Sequence, residues 1–376
     1  MQKLSREAFV SAVMVFTAAI LLAQSRVDNT RAMDSVLVKD WIPDSSLVVP
    51  ETNVLKARFP AIDVHVHVRG NIGGTRESLA AWVQTMDEAG VEKMIVLTEA
   101  TGAEFDRLAD LYQKNYPNRF QLWCGLDERD FEKPDYPERA AAELDRCYRK
   151  GGRGVGELSD KGWGIMGGVV AAYGNPPRLP REQRMHLDDP RLDLFWKKCA
   201  QLKIPVSLHV ADHPSAWRPP DIHQERTPRY QAYNQYGSDV PSYEELLGRR
   251  DRLLARHPDT TFIAVHFSNQ GNDLASLSRA LDRFPNLYVD ISARDYEMGR
   301  QPRAAAKFLE KYTDRVLYGS DSTPATRMYR GWWRLLESAD EYIPGPVWWR
   351  LYGLSLQDRV LDAIYGGNAR RILNLN

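Results

Sequence analysis

The chain has 376 residues, of which 43% are hydrophobic and 27% are charged, as is usual for a soluble globular protein. Its 50 basic and 50 acidic residues give a formal net charge of zero, which argues against a nucleic-acid-binding protein with a basic surface. The length allows one large domain or two of ordinary size.

Residues 1–25 have the pattern of a secretory signal peptide. Lys3 and Arg6 precede an apolar stretch, and the small residues Ala23 and Ser25 then suit a −3/−1 cleavage site. The apolar stretch is short for a membrane span of roughly 20 residues, so the pattern favours cleavage. We therefore expect an exported protein, periplasmic or extracellular, which stays membrane-anchored if the segment is not cleaved.

A regular alternation of two patterns begins after residues 26–57, which we predict to be an extended lead-in to a single domain at 58–376. Apolar strand-like runs alternate with amphipathic helical runs, as in parallel βαβ units. The strand-like runs lie at 60–67, 92–98, 119–126, 152–158, 204–210, 260–267, 287–292 and 315–320. The helical runs lie at 78–90, 103–116, 138–151, 193–202, 242–257, 273–284 and 304–313.

Eight strands alternating with helices predict an α/β fold with a parallel sheet. Right-handed crossovers allow either an open doubly wound sheet or a closed (β/α)8 TIM barrel. The count of eight favours the barrel. The first strand is followed by no glycine-rich dinucleotide fingerprint, which weakens the doubly wound alternative.

The first strand, within AIDVHVHV (61–68), carries polar residues in an otherwise apolar run. Because strand side chains alternate between faces, Asp63, His65 and His67 are expected to share one face. A solvent-exposed face would explain this pattern. The alternative is a metal site, because two neutral imidazoles can bind one ion at about 2.0–2.1 Å.

More residues that can bind a metal end other predicted strands, at the edge where barrel active sites gather. Glu157 ends the fourth strand, His209 the fifth, His266 the sixth, and Asp321 follows the eighth. Alone, either histidine would be read as a hydrogen-bonded core residue. Together with the first strand, the four residues predict a metal-dependent active site, with both histidines on the inner strand faces.

These motifs resemble the amidohydrolase superfamily of metal-dependent (β/α)8 barrels. The likeness is to the amidohydrolase-related branch, which includes aminocarboxymuconate semialdehyde decarboxylase. It covers about residues 58–375 and rests on DVHVH, SLHVAD, AVHFSN, LYGSDS and the closing IYGGNARRIL. The motifs are specific for the superfamily, but they do not specify a substrate.

The resemblance implies a role for each matching residue. His65, His67, His209 and Asp321 would bind a divalent metal, with zinc favoured. Asp321 would also orient or deprotonate the bound water, and His266 would transfer a proton or support the site. A cation in such a site lowers the pKa of bound water and polarises a carbonyl.

The fourth strand departs from part of the superfamily, in which a carboxylated lysine at its end bridges two metals. This chain has Glu157 there. Two interpretations stay open: Glu157 binds a second metal with His209 and His266, or it contacts the substrate. One ion is favoured over two.

Three further residues are candidates for substrate binding. Arg69 and Arg294 follow strand ends and could pair with a substrate carboxylate. Trp217 lies in the long connection at about 211–241, which is rich in aromatic residues and has no clear helix. A loop of this length is usually functional or disordered. We interpret it as a lid, with a solvated or oligomer-contacting flap as the alternative.

The leading function is a metal-dependent hydrolase that uses a metal-activated water on an amide, ester or lactone carbonyl of a small molecule. The alternative is a metal-dependent non-oxidative decarboxylase of an unsaturated or aromatic acid. A non-catalytic protein with a structural metal fits less well, because such sites are closed by four protein ligands and do not need His266. We expect no nucleic-acid partner and no membrane contact beyond the signal segment, and a homodimer is the default assembly.

Overall fold

Parallel strands form the centre of the described structure. The computed structural model describes residues 34–41, 44–165, 179–225, 233–345 and 349–375. The predicted signal segment lies outside these residues. Val49–Asn376 forms one compact unit. Its described part contains eight strands: β1 (Ala61–His67), β2 (Val91–Leu97), β3 (Phe120–Trp123), β4 (Val155–Asp160), β5 (Val206–Val210), β6 (Phe262–Ala264), β7 (Leu287–Asp290) and β8 (Val316–Leu317).

The strands form two parallel sheets, β1-β2-β3 and β4-β5-β6-β7-β8, so the predicted α/β fold is confirmed. Hydrogen bonds connect the outer strands of the two sheets. Gly156 N, in β4, donates to the carbonyl of Cys124, directly after β3, at 2.8 Å. Val64 N, in β1, donates to the carbonyl of Tyr318, directly after β8, at 3.0 Å. Closure into a single barrel stays a prediction.

The seven predicted helices are present, with ends that differ by at most two residues from the prediction, and further helices that were not predicted accompany them. None of those described is long and apolar enough to cross a membrane. Those in the described residues are α1 (Arg76–Ala89), α2 (Gly102–Asn115), α3 (Tyr136–Arg149), α4 (Asp193–Leu202), α5 (Tyr243–Arg256), α6 (Leu274–Arg283), α7 (Asp295–Arg300), α8 (Pro302–Lys311), α9 (Thr326–Glu337), α10 (Asp358–Asp362) and α11 (Asn368–Ile372). A π-helical segment, Ala363–Gly367, joins α10 to α11.

Local sequence explains where several helices begin and end. The hydroxyl of Thr75 accepts a hydrogen bond from Ser78 N at the start of α1, and that of Ser242 accepts one from Glu245 N at the start of α5. Such caps satisfy amides that have no partner within the helix. Gly90 ends α1 with a φ of 80°, a conformation that glycine adopts at little cost.

The sixth strand is shorter than predicted. It ends at Ala264, and the four residues from His266 to Asn269 have left-handed backbone conformations, with φ of 58°, 52°, 55° and 53°. We call these residues the left-handed turn (266–269). The prediction that His266 lies on a strand face is wrong. Each left-handed residue other than glycine costs roughly 1–2 kcal/mol, a preference that an apolar run does not reveal.

The prediction that Asp63, His65 and His67 share one face of β1 is only partly right. The pairing of β1 with β2 shifts register between Asp63 and Val66, which breaks the strict alternation of side chains. The carboxylate of Asp63 accepts a hydrogen bond from Tyr329 Oη of α9 at 2.8 Å. His65 and His67 instead converge on other polar groups. The irregularity therefore separates the side chain of Asp63 from the two histidines.

Candidate metal centre

Four histidines and two carboxylates meet at the carboxyl ends of the strands. They include every residue that was predicted to bind a metal from its position at a strand end. We call the group the His/carboxylate cluster. All its members except Asp321 are buried or nearly so, and 22% of the Asp321 side chain is exposed. The cluster consists of His65, His67, Glu157, His209, His266 and Asp321.

Glu157 lies between two pairs of imidazoles. Its Oε2 atom is 3.3 Å from His67 Nε2 and 3.6 Å from His65 Nε2, and those two nitrogens are 3.0 Å apart. Its Oε1 atom is 2.5 Å from His209 Nδ1 and 3.8 Å from His266 Nε2. Each carboxylate oxygen therefore faces a different pair of histidines.

The two carboxylate oxygens of Asp321 also face different histidines. Its Oδ1 atom is 3.4 Å from His67 Nε2 and 3.7 Å from His65 Nε2, while Oδ2 is 3.8 Å from His266 Nε2. Its backbone N–H donates to the carbonyl of His65 at 2.9 Å, which holds the residue after β8 beside β1. Arg69 Nη2 lies 3.6 Å from Oδ1, so this predicted substrate-binding residue adjoins the cluster.

Contacts outside the cluster orient three of its histidines. In each, Nδ1 faces a carboxylate or carbonyl oxygen, which accepts the Nδ1 proton when the imidazole is neutral. The Nε2 lone pair then points into the cluster, an arrangement common among histidine ligands of metals. The contacts join His65 to Asp290 (2.8 Å), His67 to Glu99 (3.1 Å) and His266 to the Ser292 carbonyl (2.8 Å).

The neighbouring carboxylates favour the protonated form of the two histidines of β1. Burial opposes the charged imidazole, but the negative charge of Asp290 outweighs it and raises the pKa of His65 to about 10. The same penalty at His67 is outweighed by Asp321 and Glu157, which raise its pKa well above the ordinary value. Without a cation, protons therefore balance the charge of the carboxylates.

The other two histidines are neutral. Burial lowers the pKa of His209, helped by the charge of Lys161, and burial lowers that of His266 to about 3. A neutral His209 donates its Nδ1 proton to Glu157, whose pKa stays well below its usual value despite burial because His209 and His65 contact it. The Nε2 atom of His209 is then a buried acceptor that has no hydrogen-bond partner among the described residues.

These residues fit divalent cations. Ligand atoms about 2.0–2.1 Å from a tetrahedral zinc ion lie about 3.3 Å from one another. The Nε2 atoms of His65 and His67 are 3.0 Å apart, and each lies 3.3–3.7 Å from the facing carboxylate oxygens. A second group of ligand atoms, on Glu157, His209 and His266, lies within 4.8 Å. Imidazole and carboxylate groups suit zinc and neighbouring transition metals.

Arg294 lies near the cluster, and its two terminal guanidinium nitrogens donate hydrogen bonds to other residues. It is buried, with 4% of its surface exposed. Its guanidinium donates to the side-chain oxygen of Asn269 and to the carbonyl of Ala293, and lies 3.5 Å from Glu297. These contacts fix the arginine, and its predicted role in substrate binding stays a prediction.

Trp217 is packed against its own connection. Its indole N–H donates to the carbonyl of Pro241 at 3.0 Å, and its ring meets the ring of Tyr243 edge to face. These contacts connect Trp217, in the predicted lid, to the residues at the start of α5. Residues 226–232 of the connection lie outside the described residues.

Sequence reasoning did not assign the residues that orient the histidines. Asp290 ends β7 and Glu99 follows β2, so the criterion that identified the cluster also applies to them. Asn269, in the left-handed turn (266–269), had no such signal, because its position depends on a backbone conformation that the apolar pattern does not predict.

Comparisons with known proteins agree with this geometry. The amidohydrolase family model matches residues 56–375, so the chain belongs to the amidohydrolase family. The family is metal-dependent, and its members are enzymes that include decarboxylases and amidohydrolases. A comparison with curated proteins finds no significant match.

Two solved structures illustrate the likeness of fold. An uncharacterized TIM-barrel protein from Bordetella bronchiseptica has 19% identity and a TM-score of 0.53, covering 84% of this chain and 98% of that one. The 2,6-dihydroxybenzoate decarboxylase from Rhizobium has 16% identity and a TM-score of 0.51, covering 85% of this chain and 99% of that one. At these identities the similarity is one of fold.

Proposed function

We propose that this amidohydrolase is a metal-dependent hydrolase that acts on an amide, ester or lactone carbonyl of a small molecule. The observation that carries the proposal is the position of Glu157, whose two oxygens face different pairs of histidines. A carboxylate shared in this way suits two neighbouring cations, and paired cations are common in hydrolytic enzymes. The sequence favours one zinc ion, and the geometry of Glu157 supports a second position.

The proposal includes a closed (β/α)8 barrel and an exported enzyme, as the sequence predicts. Closure is supported by the hydrogen bonds of Gly156 to Cys124 and of Val64 to Tyr318, which connect β4 to β3 and β1 to β8. It is also supported by the similarity to a TIM-barrel structure. Barrel enzymes have their active sites at the carboxyl ends of the strands, where the His/carboxylate cluster lies.

The residues of the cluster would have different roles in the reaction. A bound divalent cation would polarise the substrate carbonyl and lower the pKa of water. His65 and His67 would bind this cation, and their rings are oriented by Asp290 and Glu99 respectively. Asp321 is partly exposed, so its carboxylate can accept a proton from the attacking water and donate it to the leaving group.

His266 is suited to accept rather than to donate. Its Nδ1 atom faces the carbonyl of Ser292, and burial lowers its pKa to about 3, so Nε2 carries a lone pair at neutral pH. That atom faces both Glu157 and Asp321 at 3.8 Å. It can bind a cation or accept a hydrogen bond from the substrate.

Decarboxylation is the second candidate. Arg69 favours it, because its guanidinium adjoins Asp321 and its side chain is 46% exposed, so it can pair with a substrate carboxylate. The Rhizobium protein of similar fold is a decarboxylase by name. Release of carbon dioxide would distinguish this reaction from hydrolysis, which produces an acid together with an alcohol or amine.

The experiment that tests the proposal is the metal content per chain of the purified protein and of two variants, His65→Ala and Glu157→Ala. Two ions in the wild type and at most one in Glu157→Ala would support the hydrolase with paired cations. One ion that is lost in His65→Ala but kept in Glu157→Ala would contradict the shared carboxylate and favour a substrate contact for Glu157. No bound metal, with none taken up on addition of zinc, would overturn the proposal.

A further inference from the structure

Asn269 connects the left-handed turn (266–269) to the end of β5. Its Nδ2 atom donates to the carbonyl of Val210 at 3.1 Å and to that of Ala211 at 3.3 Å. Its Oδ1 atom accepts a hydrogen bond from Arg294, which follows β7. One buried amide group therefore joins the segments that follow three strands.

The turn needs such external contacts, because left-handed conformations are unfavourable for residues other than glycine. Asparagine tolerates them better than most residues. The backbone of Asn269 is fixed as well, since its N–H donates to the carbonyl of His266 at 2.9 Å and its carbonyl accepts from Tyr243 Oη at 2.7 Å. The hydroxyl of Ser268, the neighbouring residue, accepts a hydrogen bond from Arg250 instead.

The two segments joined by Asn269 carry two histidines of the cluster. His209 directly precedes Val210 in β5, and His266 begins the turn. Their ring centroids are 4.6 Å apart, and both rings face Oε1 of Glu157. The side-chain amide of Asn269 therefore bridges the two segments that carry these imidazoles.

We infer that Asn269 is a positioning residue, whose side-chain amide sets the separation of His209 and His266 and thereby the geometry of the cation position that they share with Glu157. This inference rests on the proposed function, because it assigns a cation to that position. A residue that only stabilised the turn would contribute to the free energy of unfolding, but its replacement would not selectively change the positions of these two imidazoles.

Three variants separate the contributions. Asn269→Asp has the same shape and still accepts from Arg294, but an ionised carboxylate cannot donate to the carbonyls of Val210 and Ala211. Asn269→Gly removes the whole side chain yet adopts the left-handed conformation at little cost. The matched control is Ser268→Ala, which lies in the same turn and loses only the contact with Arg250.

The first readout is the binding of zinc to the full chain, measured by competition with a chromogenic chelator. We expect both Asn269 variants to weaken the second zinc by about 10- to 100-fold, as changes to residues that orient ligands do. The first zinc, at His65 and His67, should bind as in the wild type. Ser268→Ala should bind both ions normally.

The second readout is independent of metal: the ¹⁵N signals of the imidazole rings in chelator-treated protein. In the Asn269 variants the signals of His209 and His266 should shift, while those of His65 and His67 stay unchanged. Wild-type protein that binds no zinc would contradict the proposed function, while the ring signals would still test Asn269. Unchanged ring signals and zinc affinity in folded Asn269→Gly or Asn269→Asp would overturn the inference.

Discussion

Nδ1 of His65 lies 2.8 Å from Oδ2 of Asp290, so that a residue at the end of β7 orients a histidine of β1. The other oxygen of the same carboxylate accepts hydrogen bonds from the backbone of His266 at 2.9 Å and from the hydroxyl of Ser292 at 2.6 Å. Asp290 thus holds two histidines of the cluster.

Asp290→Asn should weaken metal binding by about 10- to 100-fold, because an amide can still orient His65 but lacks the charge that makes its imidazole a more basic ligand. The apparent dissociation constant for zinc measures the effect. Asp295→Asn is a matched control, because burial already raises the pKa of Asp295 and favours its neutral form. Equal affinities in the wild type and Asp290→Asn would refute a role for Asp290 in orienting the ligand.

Zinc binding at pH 7 should release protons. The pKa of His65 is raised to about 10 in the absence of metal, whereas a histidine ligand must be neutral. Below that pKa, affinity should therefore rise with pH, by about tenfold per unit for each proton released. Calorimetry in two buffers of different ionisation enthalpy gives the number of protons. His223→Ala, at an exposed histidine outside the cluster, should release the same number.

Glu128→Gln should change how stability depends on pH. Burial, and then the charges of Glu99 and Asp127, raise the pKa of Glu128 to about 7. The native state therefore binds this proton more tightly than the unfolded state does. The stability it contributes is complete below the unfolded pKa of about 4.3, and it is lost as the pH rises through about 7.

The glutamine variant lacks this loss, so it should be more stable than the wild type by at most about 4 kcal/mol at pH 8, and by only about 1 kcal/mol at pH 5. Urea unfolding at the two pH values measures the difference. Glu132→Gln, at an exposed position nearby, should follow the wild type. A constant difference between Glu128→Gln and the wild type across this range would contradict the raised pKa.

Gly125→Ala should destabilise the fold and disturb the contact of Glu99 with His67. A Cβ atom at position 125 would lie 2.2 Å from the carbonyl oxygen of Glu99, so the backbone would have to move. Overpacking of this kind costs about 1–3 kcal/mol or more. Gly248→Ala, in α5, meets no atom closer than 3.7 Å and should stabilise the protein by about 0.5–1 kcal/mol. Urea unfolding of both variants tests the contrast.

The sequence predicted the order of strands and helices because hydrophobic periodicity reports burial directly. It also predicted which residues meet, since parallel strands bring their carboxyl ends to one edge. It failed where backbone irregularities decide orientation. The register shift after Asp63 and the left-handed conformation of His266 arise from tertiary contacts, and an apolar run gives no sign of either.

The hydrogen bond from the backbone of Asp321 to the carbonyl of His65 joins the first strand to the residue after the last one. On the ribosome, β1 emerges long before β8 is synthesised. The His/carboxylate cluster can therefore form only when nearly the whole chain has left the exit tunnel. A nascent chain truncated before β8 would thus carry the histidines without the aspartate that completes the cluster.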